Sequence, residues 1–404
     1  MSDQVNSERA ETAGCGAGSE ENPLVKAVYA ALSQVIDPEL RRPITELGMV
    51  ESVSIDDANH VFVSILLTIK GCPMSSTIEA DVKAKVGAVD QVTGVSVTMG
   101  AMTPEQRAEL GQKLRGGADN GPTNPFADPA NRTRVIAIAS GKGGVGKSSV
   151  TVNLAMALNS LGKSVGILDA DIYGHSIPDM LGLKEARPTG IDDMIVPVPM
   201  MGLKVISIGM LKQSPDQVVA WRGPILDRAL AQLLGDVVWG DLDFLLIDMP
   251  PGTGDIAMGL GQKVPQSEVI VVTTPQQAAV EVAERAGTMA GMMEQRVIGV
   301  IENMAYLETT CPHCSQTHRV DLFGSGGGQR VADALSQRLG YEVPVMAQIP
   351  IDQQLREQGD DGMPVTATDP QRPSAQAILA AAKTLAAHKK TLLGVPLGVT
   401  PVQQ

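Results

Sequence analysis

The sequence predicts an α/β fold in which a mostly parallel sheet is covered by helices on both faces and preceded by a small α/β domain. From residue 134 to about residue 389, apolar runs of strand length alternate with segments whose apolar residues recur at helical spacing. Such alternation requires crossover connections, which place helices on both faces of a parallel sheet. A separate set of helix and strand patterns covers residues 23–115, and residues 116–133 form a linker rich in Gly, Pro and Asn.

Composition and charge limit the classes of function. The chain of 404 residues is long enough for two or three domains, and its net charge of −13 argues against broad binding to nucleic acid or to an anionic membrane. No apolar run reaches membrane-spanning length, and the N-terminus lacks the basic and apolar segments of a signal peptide. We therefore expect a cytoplasmic protein with no nucleic-acid or membrane partner. Its cysteines should be reduced thiols: Cys15, Cys72, Cys311 and Cys314.

The two ends of the chain differ from its interior. Residues 1–22 are polar and predict a disordered tail, and residues 390–404 predict a loose tail. Between the first tail and the linker, the small domain shows a helix, a strand, a second helix and a last strand. The apolar positions are Val25, Val28, Leu32, Val35 and Ile36 for the first helix; Val61, Val63, Ile65, Leu67 and Ile69 for the strand; Ile78, Val82 and Val86 for the second helix; and residues 92–97 for the last strand.

Cys72 lies in a predicted strand-to-helix turn, within Thr68-Ile69-Lys70-Gly71-Cys72-Pro73. A helix N-terminus lowers the pKa of a thiol, so Cys72 is a candidate reactive thiol. A small buried apolar residue is an equally good interpretation. Together with Asp37-Pro38-Glu39-Leu40 and residues 46–50, this segment resembles the small domain of iron–sulfur cluster assembly factors and of phenylacetate-degradation accessory proteins.

Residues 141–148 (Gly-Lys-Gly-Gly-Val-Gly-Lys-Ser) match the phosphate-binding pattern G-x-x-x-x-G-K-[ST]. Residues 135–139 predict the strand before this loop, and Val150, Leu154, Leu158 and Leu161 predict the helix after it. Backbone N–H groups and the helix dipole then favour bound phosphate. Lys147 should reach the terminal phosphates and Ser148 should hold Mg²⁺. The expected nucleotide-binding residues of the loop are Gly141, Lys142, Gly143, Gly144, Val145, Gly146, Lys147, Ser148 and Ser149.

Acidic residues follow two further predicted strands. Residues 165–168 run into Asp169 and Asp171, and residues 244–247 run into Asp248. Ligands of parallel sheets bind at the carboxyl ends of the strands. We therefore expect Asp248 to hold Mg²⁺, Asp169 to support its coordination shell, and Asp171 to orient the attacking water. The Pro/Gly segment after Asp248 predicts a loop that senses the γ-phosphate.

The loop contains a second lysine, Lys142, and resembles the deviant Walker A loop, K-G-G-x-G-K-[ST], of the MinD, ParA and nitrogenase-iron-protein class of P-loop NTPases. In that class the additional lysine crosses a nucleotide-sandwich dimer to the partner's phosphates. The resemblance therefore implies a homodimer in which Lys142 is catalytic. It also implies that Asn303, at the end of a predicted strand, contacts adenine.

The segment Cys311-Pro312-His313-Cys314 allows three interpretations. A disulfide oxidoreductase needs the first cysteine to open a helix, whereas residues 315–318 predict irregular loop. A zinc site would combine the two thiolates with His313 or His318. A 4Fe–4S cluster requires four ligands, which two chains would supply together. The dimer implied by Lys142 favours the cluster.

These motifs together resemble the Mrp/ApbC family of iron–sulfur cluster carriers. The matching segments are residues 141–149, 169–174, 221–224, 249–255, 302–304 and 311–314. The resemblance implies ATP, Mg²⁺ and a 4Fe–4S cluster, with slow hydrolysis of ATP to ADP and phosphate. It also implies transfer of the cluster to apo iron–sulfur client proteins, and the cluster assembly machinery as a further partner. One departure is His175, where the family commonly has proline.

Two alternative functions are weighed against this one. A MinD- or ParA-type positioning ATPase needs a basic surface or a basic amphipathic C-terminal helix, which the acidic chain with its short tail does not supply. A scaffold that binds nucleotide without hydrolysing it leaves Asp171 and Asp248 without a role. An ATP-hydrolysing carrier uses all of these residues.

Overall fold

The computed structural model describes residues 23–68, 74–114, 124–172, 174–191, 193–211 and 223–388. These residues divide into two compact units, with the boundary between residues 117 and 118. Cys15, the candidate thiol Cys72, residues 221 and 222, and both predicted tails lie outside the described residues. The segment boundaries predicted at residues 22, 115, 133 and 389 stay predictions.

The first unit packs helices against a three-stranded sheet. Its elements are α1 (Pro23–Leu32), β1 (Val50–Ile55), β2 (His60–Leu67), α2 (Ser75–Gly87), β3 (Gly94–Ala101) and α3 (Pro104–Leu114). The strand order is β1-β2-β3, with β1 antiparallel and β3 parallel to β2. The predicted second helix is confirmed, and its apolar residues Ile78, Val82 and Val86 are all buried.

Two predicted boundaries in this unit are wrong. Helix α1 ends at Leu32, because the chain then turns and Ile36 pairs with Pro43 across a loop. The Asp37 carboxylate closes that loop by accepting hydrogen bonds from the backbone N–H groups of Glu39 and Leu40. Strand β3 begins later and runs further than predicted, because it pairs with the whole length of β2. Strand β1 and helix α3 bury few apolar residues, so no periodicity predicts them.

The second unit is larger and alternates strands with helices. Its first elements are β4 (Arg134–Ser140), α4 (Lys147–Ser160), β5 (Val165–Asp169), α5 (Ile177–Met180), β6 (Thr189–Ile191), β7 (Met194–Val196), β8 (Val198–Met200), β9 (Leu203–Ser207), α6 (Gly223–Gly235) and β10 (Phe244–Asp248). Its remaining elements are α7 (Asp255–Lys263), β11 (Glu268–Thr273), α8 (Gln277–Met292), β12 (Arg296–Glu302), β13 (Leu307–Thr310), β14 (Thr317–Val320), α9 (Gly327–Leu339), β15 (Val345–Gln348), α10 (Gln353–Asp360), α11 (Val365–Thr368) and α12 (Pro373–Ala387).

Eight of the described strands form one sheet in the order β15-β12-β11-β4-β10-β5-β9-β8. Neighbouring strands are parallel except β8 and β9 at one edge. Successive residues of β4 enter opposite apolar layers, with Val135 and Ala137 in one and Ile136 and Ile138 in the other. The predicted mostly parallel sheet with helices on both faces is therefore confirmed.

The register of the central strands positions the acidic residues. Asp248 at the end of β10 lies directly beside Asp169 at the end of β5. Strand β4 is the other neighbour of β10, and the predicted phosphate-binding loop follows it. The carboxyl ends of three adjacent strands therefore meet where this loop begins.

Of residues 315–318, which the sequence predicts to be irregular loop, Thr317 and His318 instead begin strand β14, which pairs antiparallel with β13 in a hairpin. Both strands are largely solvent-exposed. A strand without a buried face shows no alternation of apolar and polar residues, so the sequence pattern does not predict it. Cys311 and Cys314 lie in the turn that connects the two strands.

No helix in the described ranges is both long and apolar enough to cross a membrane.

Candidate functional site

The predicted phosphate-binding loop connects β4 to α4. Gly144 and Gly146 have φ angles of +78° and +80°, which glycine adopts at little cost. Helix α4 begins at Lys147, directly after Gly146, so the positive end of its dipole faces the loop. The loop borders a cavity of about 710 Å³. The cavity is lined by Ser140, residues 142–149, Asp171, Ile172, Gly174, Ser176, Met180, Leu226, Pro250, Pro251 and residues 254–256.

Lys147, Ser148 and Asp248 meet beneath this loop. The Lys147 Nζ and the Ser148 Oγ each lie 2.6 Å from the Asp248 Oδ2. Lys147 and Asp248 are both buried, and Asp248 has no exposed surface. A buried ion pair with additional hydrogen bonds holds both charges in a defined geometry. The hydroxyl and carboxylate oxygens are of the kind that Mg²⁺ prefers.

Thr151 is a further hydrogen-bond donor to the Asp248 carboxylate, and the sequence motif does not specify it. Its Oγ1 donates a hydrogen bond of 2.8 Å to the Asp248 Oδ1. Thr151 follows Lys147 by one helical turn, so both residues lie on the same face of α4. That spacing is a signal from which this contact could be predicted.

Asp171 and Asp169 occupy different environments. Asp171 lines the cavity, and its Oδ2 lies 3.8 Å from the Lys147 Nζ. Asp169 is fully buried and accepts hydrogen bonds from the Ser207 hydroxyl and the backbone N–H of Asp171. Burial, and secondly the neighbouring charge of Asp248, raise the pKa of Asp169 to about 8. Asp169 therefore holds the backbone of Asp171 in place, and its role in a Mg²⁺ coordination shell stays a prediction.

Lys142 contacts another part of its own chain. Its Nζ donates a hydrogen bond of 3.0 Å to the Gln276 Oε1, at the start of α8. Its backbone carbonyl accepts a hydrogen bond from the Ser140 hydroxyl. Lys142 also lines the cavity and is half-buried. The sequence does not predict the contact with Gln276.

Asn303 is buried beneath the loop and is not among the residues that line the cavity. Its Nδ2 donates a hydrogen bond of 2.8 Å to the carbonyl oxygen of Val145. A Cβ atom at Gly146 would overlap this amide, so Asn303 and the glycine pack as a pair. The structure thus gives Asn303 a role in holding the loop, and its contact with adenine stays a prediction.

The cysteine pair lies in the turn of the hairpin formed by β13 and β14. The backbone N–H of Cys311 donates to the carbonyl of Gln316, and the N–H of Ser315 donates to the carbonyl of Cys311. Hydrogen bonds from the backbone N–H of Cys314, and then from that of His313, lower the pKa of the Cys311 thiol. Both thiols are free; Cys311 is half-buried and Cys314 is exposed. This turn therefore presents two thiols, and the pKa of the Cys311 thiol is lowered.

The base of the hairpin is attached to the rest of the second unit. The backbone N–H of Ile351 donates to the carbonyl oxygen of Tyr306, and Leu307 forms a β-bridge with Ile351. The Arg319 guanidinium lies 4.0 Å from the centre of the Tyr306 ring. Neither cysteine lines the cavity at the phosphate-binding loop. The chain thus has two separate candidate sites within one unit.

Comparisons with known proteins cover both units. Residues 131–386 match the family model described as NUBPL iron-transfer P-loop NTPase, and residues 26–97 match the model described as iron-sulfur cluster assembly protein. The iron-sulfur cluster carrier protein of Mycobacterium leprae is 49% identical over 378 residues, which cover 94% of this chain and 97% of that protein. The protein of the same name from a Synechocystis species is 40% identical over 366 residues, covering 89% of this chain and 96% of that protein.

Among solved structures, a nucleotide-binding protein from Archaeoglobus fulgidus in complex with ADP is 39% identical to this chain. The match covers 57% of this chain and 86% of that chain, with a TM-score of 0.47.

Proposed function

The chain belongs to the family of iron–sulfur cluster carrier proteins with a P-loop NTPase domain, and from this we propose that it is an ATP-hydrolysing homodimer that holds a 4Fe–4S cluster between its subunits and transfers it to apoproteins. The observation that carries the proposal is a pair of thiols, half-buried Cys311 and exposed Cys314, in the same unit as the phosphate-binding loop. The cluster is the cargo of the protein, and client apoproteins with cysteine ligands are its partners.

Thiol count supports a cluster shared between two chains. A 4Fe–4S cubane has one external ligand position on each iron, and the hairpin turn of one chain offers two thiols. Two chains related by a two-fold axis offer a symmetric set of four. Exposure of Cys314 supports transfer, because a client thiolate must reach the cluster to exchange with a carrier thiolate.

The environment of Lys147 supports hydrolysis of MgATP at the loop. Phosphate oxygens compete with Asp248 for the Lys147 ammonium group, and Ser148 and Asp248 present oxygen ligands to Mg²⁺. Asp171, on the cavity wall, is the candidate for orienting the attacking water. Catalysis of phosphoryl transfer depends mainly on such positioned charges.

The match of the first unit to the family of iron-sulfur cluster assembly proteins supports a role for this unit in cluster assembly. Cys72, as a thiol that accepts iron or sulfur species there, stays a prediction, because it lies outside the described residues.

The experiment that tests the function is elemental analysis of protein purified without oxygen. We expect about four iron and four sulfide per two chains, together with elution as a dimer. Transfer is then measured as activation of an apoprotein that needs a 4Fe–4S cluster, with and without ATP. Protein that holds no iron and sulfide after anaerobic reconstitution, or a cluster that never reaches the apoprotein, would overturn the proposal.

The proposed homodimer leads to a separate prediction about the effect of Lys142 on ATP hydrolysis. Lys142→Ala should retain nucleotide binding but lose most hydrolysis, because Lys142 of one chain contacts the phosphates of the nucleotide bound to the partner chain. Co-expression with Asp171→Ala should restore hydrolysis, since a mixed dimer has one site with Asp171 from one chain and Lys142 from the other. Random pairing makes about half of the dimers mixed, so about one quarter of wild-type activity is expected.

Gln276→Ala is the matched control for this experiment. It removes the contact that Lys142 makes within its own chain and leaves the lysine in place. Near wild-type hydrolysis in Gln276→Ala is expected if Lys142 acts across the dimer. Mixed dimers no more active than the separate variants, combined with an inactive Gln276→Ala variant, would assign Lys142 to its own chain instead.

A further inference from the structure

Three metal-binding side chains converge on the cysteine hairpin. The sulfur atoms of Cys311 and Cys314 and a ring nitrogen of His318 all lie within 4.8 Å of one another. The Cys314 Sγ and the His318 Nε2 are 3.8 Å apart. In a tetrahedral site with metal–sulfur bonds of about 2.3 Å and metal–nitrogen bonds of about 2.0 Å, sulfur and nitrogen ligands are separated by about 3.5 Å. The distance between Cys314 and His318 is therefore close to that of two ligands of one ion.

The hairpin itself brings His318 to the cysteines. His318 lies in β14, which pairs with β13 and so returns the chain past the turn that holds both thiols. The other histidine of the segment, His313, lies between the cysteines in sequence but is not part of this group of donors. Backbone pairing, rather than proximity in sequence, decides which imidazole faces the thiols.

The chemistry of the three donors is that of a site for a borderline-soft divalent ion. Thiolate and imidazole ligands together suit Zn²⁺ and Fe²⁺, whereas Mg²⁺ and Ca²⁺ prefer oxygen. Three protein ligands leave one position of a tetrahedral ion open. Cys314 and His318 are exposed, so a water molecule or an incoming thiolate can reach that position.

We propose that a single chain binds one divalent metal ion, Zn²⁺ or Fe²⁺, through Cys311, Cys314 and His318, with the fourth position open to exchange. The inference rests on the proposed function, since it concerns the same cysteines, and it adds a form of the carrier that needs no second chain. Each thiol loses its proton when the ion binds. In the dimer that shares a cluster, the four thiolates of the two chains fill the four external positions of the cluster, and His318 is not a ligand.

Cobalt titration tests the inference directly. Reduced full-length protein is titrated with Co²⁺ under argon, and the visible bands of tetrahedral cobalt and the thiolate-to-cobalt charge-transfer bands are recorded. We expect one Co²⁺ per chain, elution of the cobalt form as a monomer, and displacement of Co²⁺ by Zn²⁺. Half an ion per chain in a dimer, or no tetrahedral bands, would overturn the proposal.

Variants of the two histidines form a matched pair. His318→Ala should weaken Co²⁺ binding at least about 10-fold, because loss of even an outer partner of a ligand costs 10- to 100-fold. His313→Ala, in the same turn, should bind Co²⁺ like the wild type. His318→Cys should restore tight binding and shift the charge-transfer bands, which a purely structural role of His318 does not predict. Equal affinity in His318→Ala and wild type would contradict the inference.

Failure of this inference is distinguishable from failure of the proposed function. Iron and sulfide content after anaerobic reconstitution are measured on the same variants. If the His318→Ala protein binds both Co²⁺ and the cluster like the wild type, His318 is not a metal ligand, and the proposed carrier function is unaffected. A Cys314→Ser protein that keeps the cluster contradicts the carrier site itself.

Discussion

Lys147→Ala is expected to abolish ATP hydrolysis, with a loss of about 10³-fold or more, because phosphoryl transfer depends on charges held at the β- and γ-phosphates. In the structure the Lys147 ammonium lies 2.6 Å from Asp248 and 3.8 Å from Asp171. This ammonium group is therefore close both to the candidate Mg²⁺ ligand Asp248 and to the candidate catalytic residue Asp171. The measurement is phosphate release at saturating MgATP, with Lys163→Ala, just beyond the end of α4, as a lysine control that should retain full activity.

The same substitution leaves Asp248 buried without its cation, which costs about 3–5 kcal/mol of folding stability in comparable buried pairs. Thermal unfolding must therefore be measured beside hydrolysis. The double variant Lys147→Ala with Asp248→Asn removes both charges and should recover much of the stability while remaining inactive. Hydrolysis that returns together with stability in the double variant would show that Lys147 acts on folding alone, and the catalytic assignment would be lost.

Replacing Cys311 and Cys314 together with serine is expected to remove essentially all iron and sulfide from reconstituted protein and to end activation of client apoproteins. Serine retains the size of the side chain but lacks the thiolate that iron–sulfur clusters require. The hairpin turn is held by backbone hydrogen bonds between Cys311, Ser315 and Gln316, which serine leaves in place. We therefore expect an unchanged fold and unchanged ATP binding, because neither cysteine lines the cavity at the loop.

Iron per dimer after anaerobic reconstitution is the measurement, and equilibrium binding of a fluorescent ATP analogue is its control. Chelation of the cluster in the wild type should also weaken the dimer in the absence of nucleotide, as observed by size-exclusion chromatography. Undiminished iron in the double serine variant would mean that another site holds the cluster. Loss of ATP binding in that variant would mean that the substitutions disturb the whole unit.

Much of the loop site could be predicted because its determinants are local. A strand, a glycine-rich turn and a helix are encoded by consecutive residues, and the positive φ angles of Gly144 and Gly146 follow from the motif. The positions of Asp169 and Asp248 follow from a general rule of parallel sheets, in which strand ends meet at one edge. Their direct pairing in register is consistent with that rule.

The partners of these residues could not be predicted, because they come from distant parts of the chain. Asn303 reaches the Val145 carbonyl across 158 residues, and Gln276 reaches Lys142 across 134. Neither Asn303 nor Gln276 belongs to a sequence motif from which its hydrogen-bond partner could be predicted. Only the sheet order, in which β12 is separated from β4 by β11, and the packing of α8 against β4 bring them to the loop.

The hairpin formed by β13 and β14 is a second case in which the sequence does not predict the side chains of a site, although here they are close together in sequence. The sequence identifies Cys311 and Cys314 as a thiol pair but leaves open whether His313 or His318 could join them. Exposed strands have no buried face and therefore no apolar alternation, so β14 is not detectable as a strand. Antiparallel pairing with β13 then places His318, and not His313, with the thiols.

The sequence by itself thus determined the fold class, the phosphate-binding loop, the acidic strand ends and the cysteine pair, since each depends on residue types at short, fixed spacing. The tertiary structure alone decided which side chains support them: Ser207 at Asp169, Gln276 and Asn303 at the loop, and His318 at the thiols. The physical reason is that a hydrogen bond or a metal site depends on distances of a few ångströms between side chains. In a folded chain those distances are set by how strands and helices pack, whatever their separation in sequence.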